Sequence, residues 1–560
     1  MHAQPLPPVR PELVDTPAGL PSLRYGAEPL EDPVDPVEGA ERFVRPDVVA
    51  RARHVVLFGA GLGYRVARLR ALGCTPVVFE PCPAVLDLAR RHGPGLPEDV
   101  PVFTDPRALH GHLMAVSRPD EHTVLLCAPP LKRAFPAEAE AVARVIEEVQ
   151  GLVLLRRNSV AERSAMMTER ALSNLPRAAR VPGLGALSRP LDGIPAFLVA
   201  AGPSLDANRH LLEAASRRGA VFAVNTSAPV LAAIDAPIDV LVAIEALDVS
   251  EPMQIAAGVT RALALDLTAH PANFAVPVDR KLAFLADAPQ YRRLGERLGL
   301  GPLGYGGSVA TAAFALAARL GADPIVLLGQ DLAYTGGRGY ASDTLYEGTA
   351  VHREGRLLRI ERAATFEAIQ RSGGLGGRAK HRPCVDVPAW GGGTVWSTHE
   401  LTLFRRWFEM AAHQLKGRRR LVNATEGGAS IEGYEERRLE ALLDELPERA
   451  HGLHAAIDEA APVDVARVDE IAREIRASAR ALSKAATRCA KASKRGRPRA
   501  LELALEALRA AARDAPLAEA HASSELTTIT GDDTLAPAER ERRTFAAIRR
   551  SADRVARLAR

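Results

Sequence analysis

The feature that most constrains this chain is a set of short, unbroken apolar runs that each stop abruptly at polar residues. The sharpest is "FLVAAGPSLDAN", residues 197–208, where an apolar stretch halts at Gly202-Pro203-Ser204 and a helix-like pattern follows at once. Related runs occupy 196–200, 220–225, 239–245, 262–267, 281–286 and 324–329. Continuous rather than alternating runs of this length belong to strands covered on both faces, the strands of parallel, doubly wound α/β sheets. In such a sheet the run ends gather on the carboxyl edge, where helix N-termini expose unpaired N–H groups and ligands bind.

The residues that end the runs are therefore candidate binding groups. Gly202, Pro203 and Ser204 form the first turn; Gly202 is expected to let a ligand approach the backbone, and Ser204 or Asp206 to cap the following helix. Asn225 and Thr226 end the second run, Glu245 the third, and Gln330 and Asp331 the last. Gly307, Ser308 and Val309 open "GGSVATAAFALAARLG", in which Val309, Ala313, Leu316 and Leu320 share one helical face. Two helix starts facing one crevice suit a ligand with a phosphate and a second anionic group, such as a carboxylate. Any large α/β sheet also has polar strand ends, so the pattern equally fits turns without a ligand.

With 560 residues, 47% of them hydrophobic, the chain can build two to four domains, each with its own core. Its texture predicts a Rossmann-like α/β domain over 1–165, a central doubly wound domain over 166–435 and an all-helical domain over 436–560. A Pro-rich lead to about residue 45 is expected to be extended, and "NLPRAARVPGLGALSRPLDGIP" reads as a linker. No window approaches eighteen apolar residues, and "MHAQPLPPVRPEL" lacks the pattern of a signal peptide, so a cytoplasmic protein without membrane insertion is expected. Five scattered cysteines without a C-x-x-C pair fit neither a disulfide framework nor a zinc site. A net charge of +4 and 4% aromatic residues argue against a nucleic-acid partner. The basic stretch "KASKRGRPR", 491–499, reads better as a solvated turn between helices.

"AGPSLDAN", "GGSVATAAFALAARLGADPIVLLGQDLAYTGGRGY" and "VNATEGGASIEG" (422–433), with "VVLFGAGLGYRVARL" near the start, resemble the motility-associated factor (Maf) glycosyltransferases, which modify flagellin with nonulosonic acids such as pseudaminic or legionaminic acid. The central region also resembles bacterial sialyltransferases that use CMP-activated sugars. The resemblance implies a CMP-nonulosonic acid donor, transfer to Ser or Thr hydroxyls of flagellin or a similar surface protein, and neither cofactor nor metal. A single-phosphate leaving group needs anion stabilisers rather than a divalent ion, and the central region has no D-x-D motif. On this resemblance the turns at 202–204 and 307–309 hold nucleotide and sugar carboxylate, and Asn225 contacts base or ribose. Tyr334 and Tyr340 either donate hydrogen bonds to the leaving phosphate or pack on their loop. Asn423 and Glu426 either contact a substrate or shape a turn.

Two departures stand out. Ala201 occupies the place where sialyltransferases carry an asparagine, and their catalytic histidine has no clear counterpart. His399, in "GGGTVWSTHELTLF", is the nearest candidate base, with His352 and His381 in the same irregular stretch and Asp331 and Glu245 as fallbacks. Gly59, Gly61 and Gly63 follow a strand, and Glu80 ends the next one, the spacing of a nucleotide-binding loop; no catalytic group follows it, so docking or assembly is the preferred role. The helical tail, with mixed charges at i, i+4 spacing, is a candidate for recognising the acceptor protein. The alternatives are a pterin diphosphokinase-like enzyme using ATP and Mg, which shares the G-P-S-L type of core, and a non-catalytic nucleotide-binding relative.

Overall fold

The computed structural model describes residues 10–49, 52–74, 76–116, 122–361, 380–495, 498–530 and 535–559. The chain forms two compact units, Met1–Ala161 and Glu162–Arg560.

The first unit holds a four-stranded parallel sheet of β1 (Ala52–Phe58), β2 (Pro76–Phe79), β3 (Val102–Phe103) and β4 (His122–Cys127), in the order β3-β2-β1-β4. Helix α1 (Tyr64–Ala71) follows the glycine-rich turn, and helix α2 (Pro136–Ala178) begins here, burying Val142 and Val149 in the core with Phe58 and Phe79. Residues 10–45 depart from the expected extended lead. Pro11–Asp15 pairs antiparallel with Pro21–Tyr25, and Asp35 caps a helix over Pro36–Phe43. The reason is apolar: Leu23 and Leu30 are fully buried against the sheet.

That lead also fills the glycine-rich loop. Glu31 Oε1 accepts the Leu62 N–H at 2.9 Å, and a side chain at Gly61, whose φ is +55°, would overlap the Glu31 carboxylate. Glu80, placed by its spacing to bind a ribose, instead accepts from Ala60 N–H at 2.7 Å and Cys82 N–H at 2.9 Å. The anion-binding turn is thus closed by the chain's own carboxylates. Burial pushes both Glu31 and Glu80 up to about 7.

The second unit is built on a nine-stranded sheet. Its strands are β5 (Ala196–Val199), β6 (Ala220–Val224), β7 (Val240–Ala243), β8 (Ala262–Asp266), β9 (Arg280–Ala286), β10 (Pro302–Leu303), β11 (Ile325–Leu328), β12 (Leu421–Asn423) and β13 (Glu435–Glu436), in the order β10-β9-β8-β7-β6-β5-β11-β12-β13. All neighbours are parallel. Every predicted central strand is present. The continuous runs have the expected cause: Ala196 and Leu198 enter one core, while Phe197 and Val199 enter another on the opposite face.

Two expectations need correction. The supposed linker is core, with Leu184, Leu187 and Leu191 buried and the Asn174 amide donating to the Leu267 and Ala269 carbonyls at 2.9 and 2.7 Å. The irregular stretch after residue 345 contains antiparallel ribbons, Ala350–Glu354 with Leu357–Glu361 and Val385–Pro388 with Thr394–Ser397. Helix α3 (Val309–Leu320) carries the chain from the edge strand β10 back to β11, and α4 (His399–Leu415) packs near it against Phe314. The tail is helical as expected: α5 (Val465–Lys494), α6 (Pro498–Asp514), α7 (Pro516–Thr530) and α8 (Pro537–Leu558). Its apolar faces share a core with Tyr291, Leu294 and Leu298. The basic stretch falls at the α5–α6 turn, where Arg495 ends the helix. Among the described residues no helix is long and apolar enough to cross a membrane.

The raised carboxyls predict a pH dependence with a defined sign. Folded unit 1 keeps protons on Glu31 and Glu80 that the unfolded chain releases near pH 4.5, so stability falls as pH rises from about 4.5 to about 7. Glu80→Gln should flatten this loss, by at most about 3 kcal/mol at 1.36 kcal/mol per pKa unit. Calorimetric unfolding of wild type and variant at pH 5 and 7.5 measures the difference; identical pH dependence in the two would contradict it.

Candidate functional site

A doubly wound sheet binds ligands where its strand order reverses. Here that point lies between β5 and β11: after β5 the chain moves outward strand by strand to β10, and α3 then returns it to β11 on the other side. The turns leaving these two strands carry Gly202-Pro203-Ser204 and Gln330-Asp331.

Asp331 fastens them. Its carboxylate, 2% exposed, accepts from Ser204 Oγ at 2.6 Å, from Ser204 N–H at 3.2 Å and from Thr335 Oγ1 at 2.6 Å. Its backbone carbonyl accepts from Ala429 N–H at 2.7 Å, and Gln330 N–H donates to Thr425 Oγ1 at 3.2 Å, drawing the loop after β12 into the same knot. A Cβ at Gly202 would overlap Asp331 Oδ2, and one at Gly428 would overlap the Asp331 backbone. This corrects the expectation for Gly202: its small size admits Asp331, not a ligand. Ser204 likewise does not cap the helix, because its hydroxyl is committed to Asp331. Burial raises the Asp331 pKa, against the opposing hydrogen bonds from Ser204 and Thr335. With both oxygens engaged, Asp331 is built as a clasp rather than as the fallback base.

The tyrosine loop hangs from this knot. Asp206 takes Arg338 Nη2 at 2.6 Å and Ser342 N–H and Oγ at 3.0 Å each, and Ala341 N–H donates to the Ala201 carbonyl at 3.0 Å. Tyr340, between them, packs its ring on Tyr346 at 5.1 Å. Tyr334 N–H donates to the Trp396 carbonyl and Ser397 Oγ to the Leu332 carbonyl, both at 2.8 Å. These bonds tie strand Thr394–Ser397 to the tyrosine loop, and His399 follows two residues later, exposed on the first turn of α4, which Thr398 caps. His352 and His381 lie instead on the antiparallel ribbon, near Glu361 and Glu354.

Asn225 ends β6 beside this knot; it is buried, and its Oδ1 has no partner among the described residues. Thr226 follows it, partly exposed. Asn423 Oδ1 accepts Thr425 N–H at 3.2 Å, and its carbonyl accepts Trp390 Nε1 at 2.9 Å, while its buried Nδ2 has no partner among the described residues. Glu426, at φ +59°, accepts Leu439 N–H at 2.8 Å and Arg438 Nε at 3.3 Å, so its carboxylate shapes the turn and caps the next helix.

The second turn forms its own group farther along the edge. Ser308 Oγ accepts Thr311 N–H at 3.3 Å in a capping box, and Thr311 Oγ1 takes the N–H groups of Gly306 and Ser308 at 3.0 and 3.3 Å. Val309 and Ala310 N–H, in the first turn of α3, have no hydrogen-bond partner among the described residues, and Gly307 beside them is open. Tyr305 anchors this loop by donating its phenol to Asp266 Oδ2 at 3.0 Å, at the end of β8. Asp266 is buried and also accepts Thr268 N–H and Oγ1. Asp266 and Tyr305 were missed, although "ALALDLT" ends in a polar residue like the other runs. Three strand spacings separate β8 from β5, about 14 Å at roughly 4.8 Å each. The two turns therefore lie on either side of the carboxyl ends of β6 and β7, where Asn225 and Glu245 sit. Burial raises the Glu245 pKa.

Comparison with known proteins places this geometry. A family model described as 6-hydroxymethylpterin diphosphokinase MptE-like matches residues 169–337. A solved structure of the Maf glycosyltransferase from Magnetospirillum magneticum AMB-1 is similar over 100% of this chain and 92% of its own, with a TM-score of 0.54 and 16% sequence identity. No curated protein matches the chain by sequence. The chain thus shares its fold with a Maf glycosyltransferase from end to end, the architecture to which its sequence motifs point.

If Asp331 is the clasp, Gly202→Ala should disturb it without touching any exposed group. A loss of about 1–3 kcal/mol from overpacking is expected, read as a lower urea midpoint. An unchanged midpoint would mean that the three loops are held by something else.

Proposed function

We propose that the protein is a metal-independent glycosyltransferase that moves a nonulosonic acid from a CMP-activated donor to Ser or Thr hydroxyls of flagellin or a similar surface protein. The observation that carries this reading is the knot at the switch point: the Asp331 carboxylate ties the turns after β5 and β11, the Asp331 carbonyl and Gln330 N–H tie in the loop after β12, and Asp206 holds the loop that carries Tyr340. The fold shared with the Maf glycosyltransferase supports it.

The chemistry follows from the donor. As the bond from the anomeric carbon to the phosphate oxygen breaks, charge collects on the CMP phosphate while the sugar becomes oxocarbenium-like. Tyr334 and Tyr340 stabilise that charge by donating hydrogen bonds that strengthen in the transition state. The unpaired Asn225 Oδ1 suits an N–H or O–H donor on the base or ribose. The N–H groups of Val309 and Ala310 suit the sugar carboxylate, at the far end of an elongated ligand lying along the edge. His399 is the candidate to take the proton from the acceptor hydroxyl. The helical tail is the candidate surface for the acceptor protein.

The MptE-like match over 169–337 favours a second reading, an ATP- and Mg-dependent diphosphokinase. Thermal shift separates the two: CMP should raise the melting temperature and ATP with Mg should not. Stabilisation by ATP with Mg alone would exchange the readings. Tyr334→Phe combined with Tyr340→Phe should lower transfer about 100-fold or more while leaving CMP affinity within about threefold. Transfer at the wild-type rate would remove the tyrosines from the mechanism.

A further inference from the structure

The opposite edge of the central sheet carries a second polar site that the proposed transfer does not use. A cavity of about 430 Å³ opens there, lined by Arg217, Arg261, Glu448, Arg449, His451 and His454. Its place is fixed by the strands. Arg217 ends the helical segment before β6, Asp239 directly precedes β7 and Arg261 directly precedes β8, so all three mark the amino edge. The strands between the two edges are four to five residues long. At about 3.3 Å per residue they put roughly 13–17 Å of sheet between this cavity and the switch-point crevice.

Three arginines and one carboxylate, Glu448, line the cavity. Glu448 is shared by Arg217 at 3.3 Å and Arg218 at 3.9 Å, and Arg217 Nη1 also pairs with Glu213 at 2.7 Å. Arg261 leans on the buried Asp239 at 3.1 Å, and Arg449 donates to the Gly193 carbonyl at 3.4 Å with no carboxylate partner among the described residues. The side chain of His451 is 7% exposed, with Nε2 3.5 Å from Asp239 Oδ1, yet its buried Nδ1 has no partner among the described residues. His451 lines the cavity, so an anion bound there would change the surroundings of its ring.

We propose that this cavity binds a small phosphate-bearing anion, with Arg217 and Arg449 as its forked donors and His451 in its wall. Guanidinium forks match the paired oxygens of a phosphate, which a lysine's point charge does not. The cavity is open to solvent and admits a small polyphosphate.

Inorganic pyrophosphate is the probe, titrated calorimetrically into the full chain with the switch-point crevice saturated with CMP. One saturable event is expected, weakened at least tenfold by Arg217→Ala combined with Arg449→Ala, both of which lie at the surface. In wild type, the His451 imidazole resonances should move on addition of pyrophosphate, a readout independent of whether the variant folds well. Absence of saturable binding, equal affinity in the double variant, loss of binding on CMP addition or an unmoved His451 would each overturn the proposal. Because the probe is read with CMP present and no transfer is measured, failure here leaves the transferase reading untouched, and the converse holds as well.

Discussion

The central unit turns on one buried carboxylate. Asp331 has no ion-pair partner among the described residues; its carboxylate accepts from the Ser204 hydroxyl, the Thr335 hydroxyl and the Ser204 N–H. Hydrogen bonds to an enclosed carboxylate are stronger than neutral ones, and leaving any of these groups unpaired costs its full desolvation. The carboxylate thereby joins the turns after β5 and β11, and the Asp331 carbonyl and Gln330 N–H add the loop after β12, at the point where a parallel sheet presents ligands. The residues proposed to act on the leaving group, Tyr334 and Tyr340, inherit their position from it. Preorganised donors need such support, because a donor free to move spends its binding energy on being ordered.

The two Rossmann-like sheets of the chain put the same turn to opposite uses. In unit 1 the glycine-rich turn after β1 is closed by Glu31 and Glu80, which occupy the N–H groups that a nucleotide would take. In unit 2 the turn after β5 spends its own groups on Asp331, while a second turn, after β10, keeps Val309 and Ala310 available. A glycine-rich loop is thus an offer of N–H donors, and the neighbouring carboxylates decide whether the offer stands.

The shared fold with the Maf glycosyltransferase extends over the whole chain, whereas the MptE-like match stops at residue 337, before Tyr340 and the loop after β12. The part they have in common covers the strands from β5 to β11 and Tyr334. Residues 338–342, held by Asp206, and 425–429, held by Asp331, lie outside the shared core.

The sequence by itself determined the sheet and its direction. Strands buried on both faces must be continuously apolar, so the runs from 196 to 329 were legible without any tertiary information, and with them the edge on which Ser204, Asn225, Glu245, Ser308 and Asp331 gather. The helical tail was legible for the same reason, through its 3.6-residue period. Only the tertiary structure decided what each polar group faces. Gly202 read as an opening for a ligand and proved to be room for Asp331, because a missing Cβ looks the same in sequence whatever enters the space. The stretch from 174 to 195 read as a linker because prolines and glycines hide its period, yet Leu184, Leu187 and Leu191 close the core. Glu31 and His451 gave no local signal at all: their surroundings come from residues 31 and more than 200 positions away, and burial and pairing over such distances are set by packing, not by pattern.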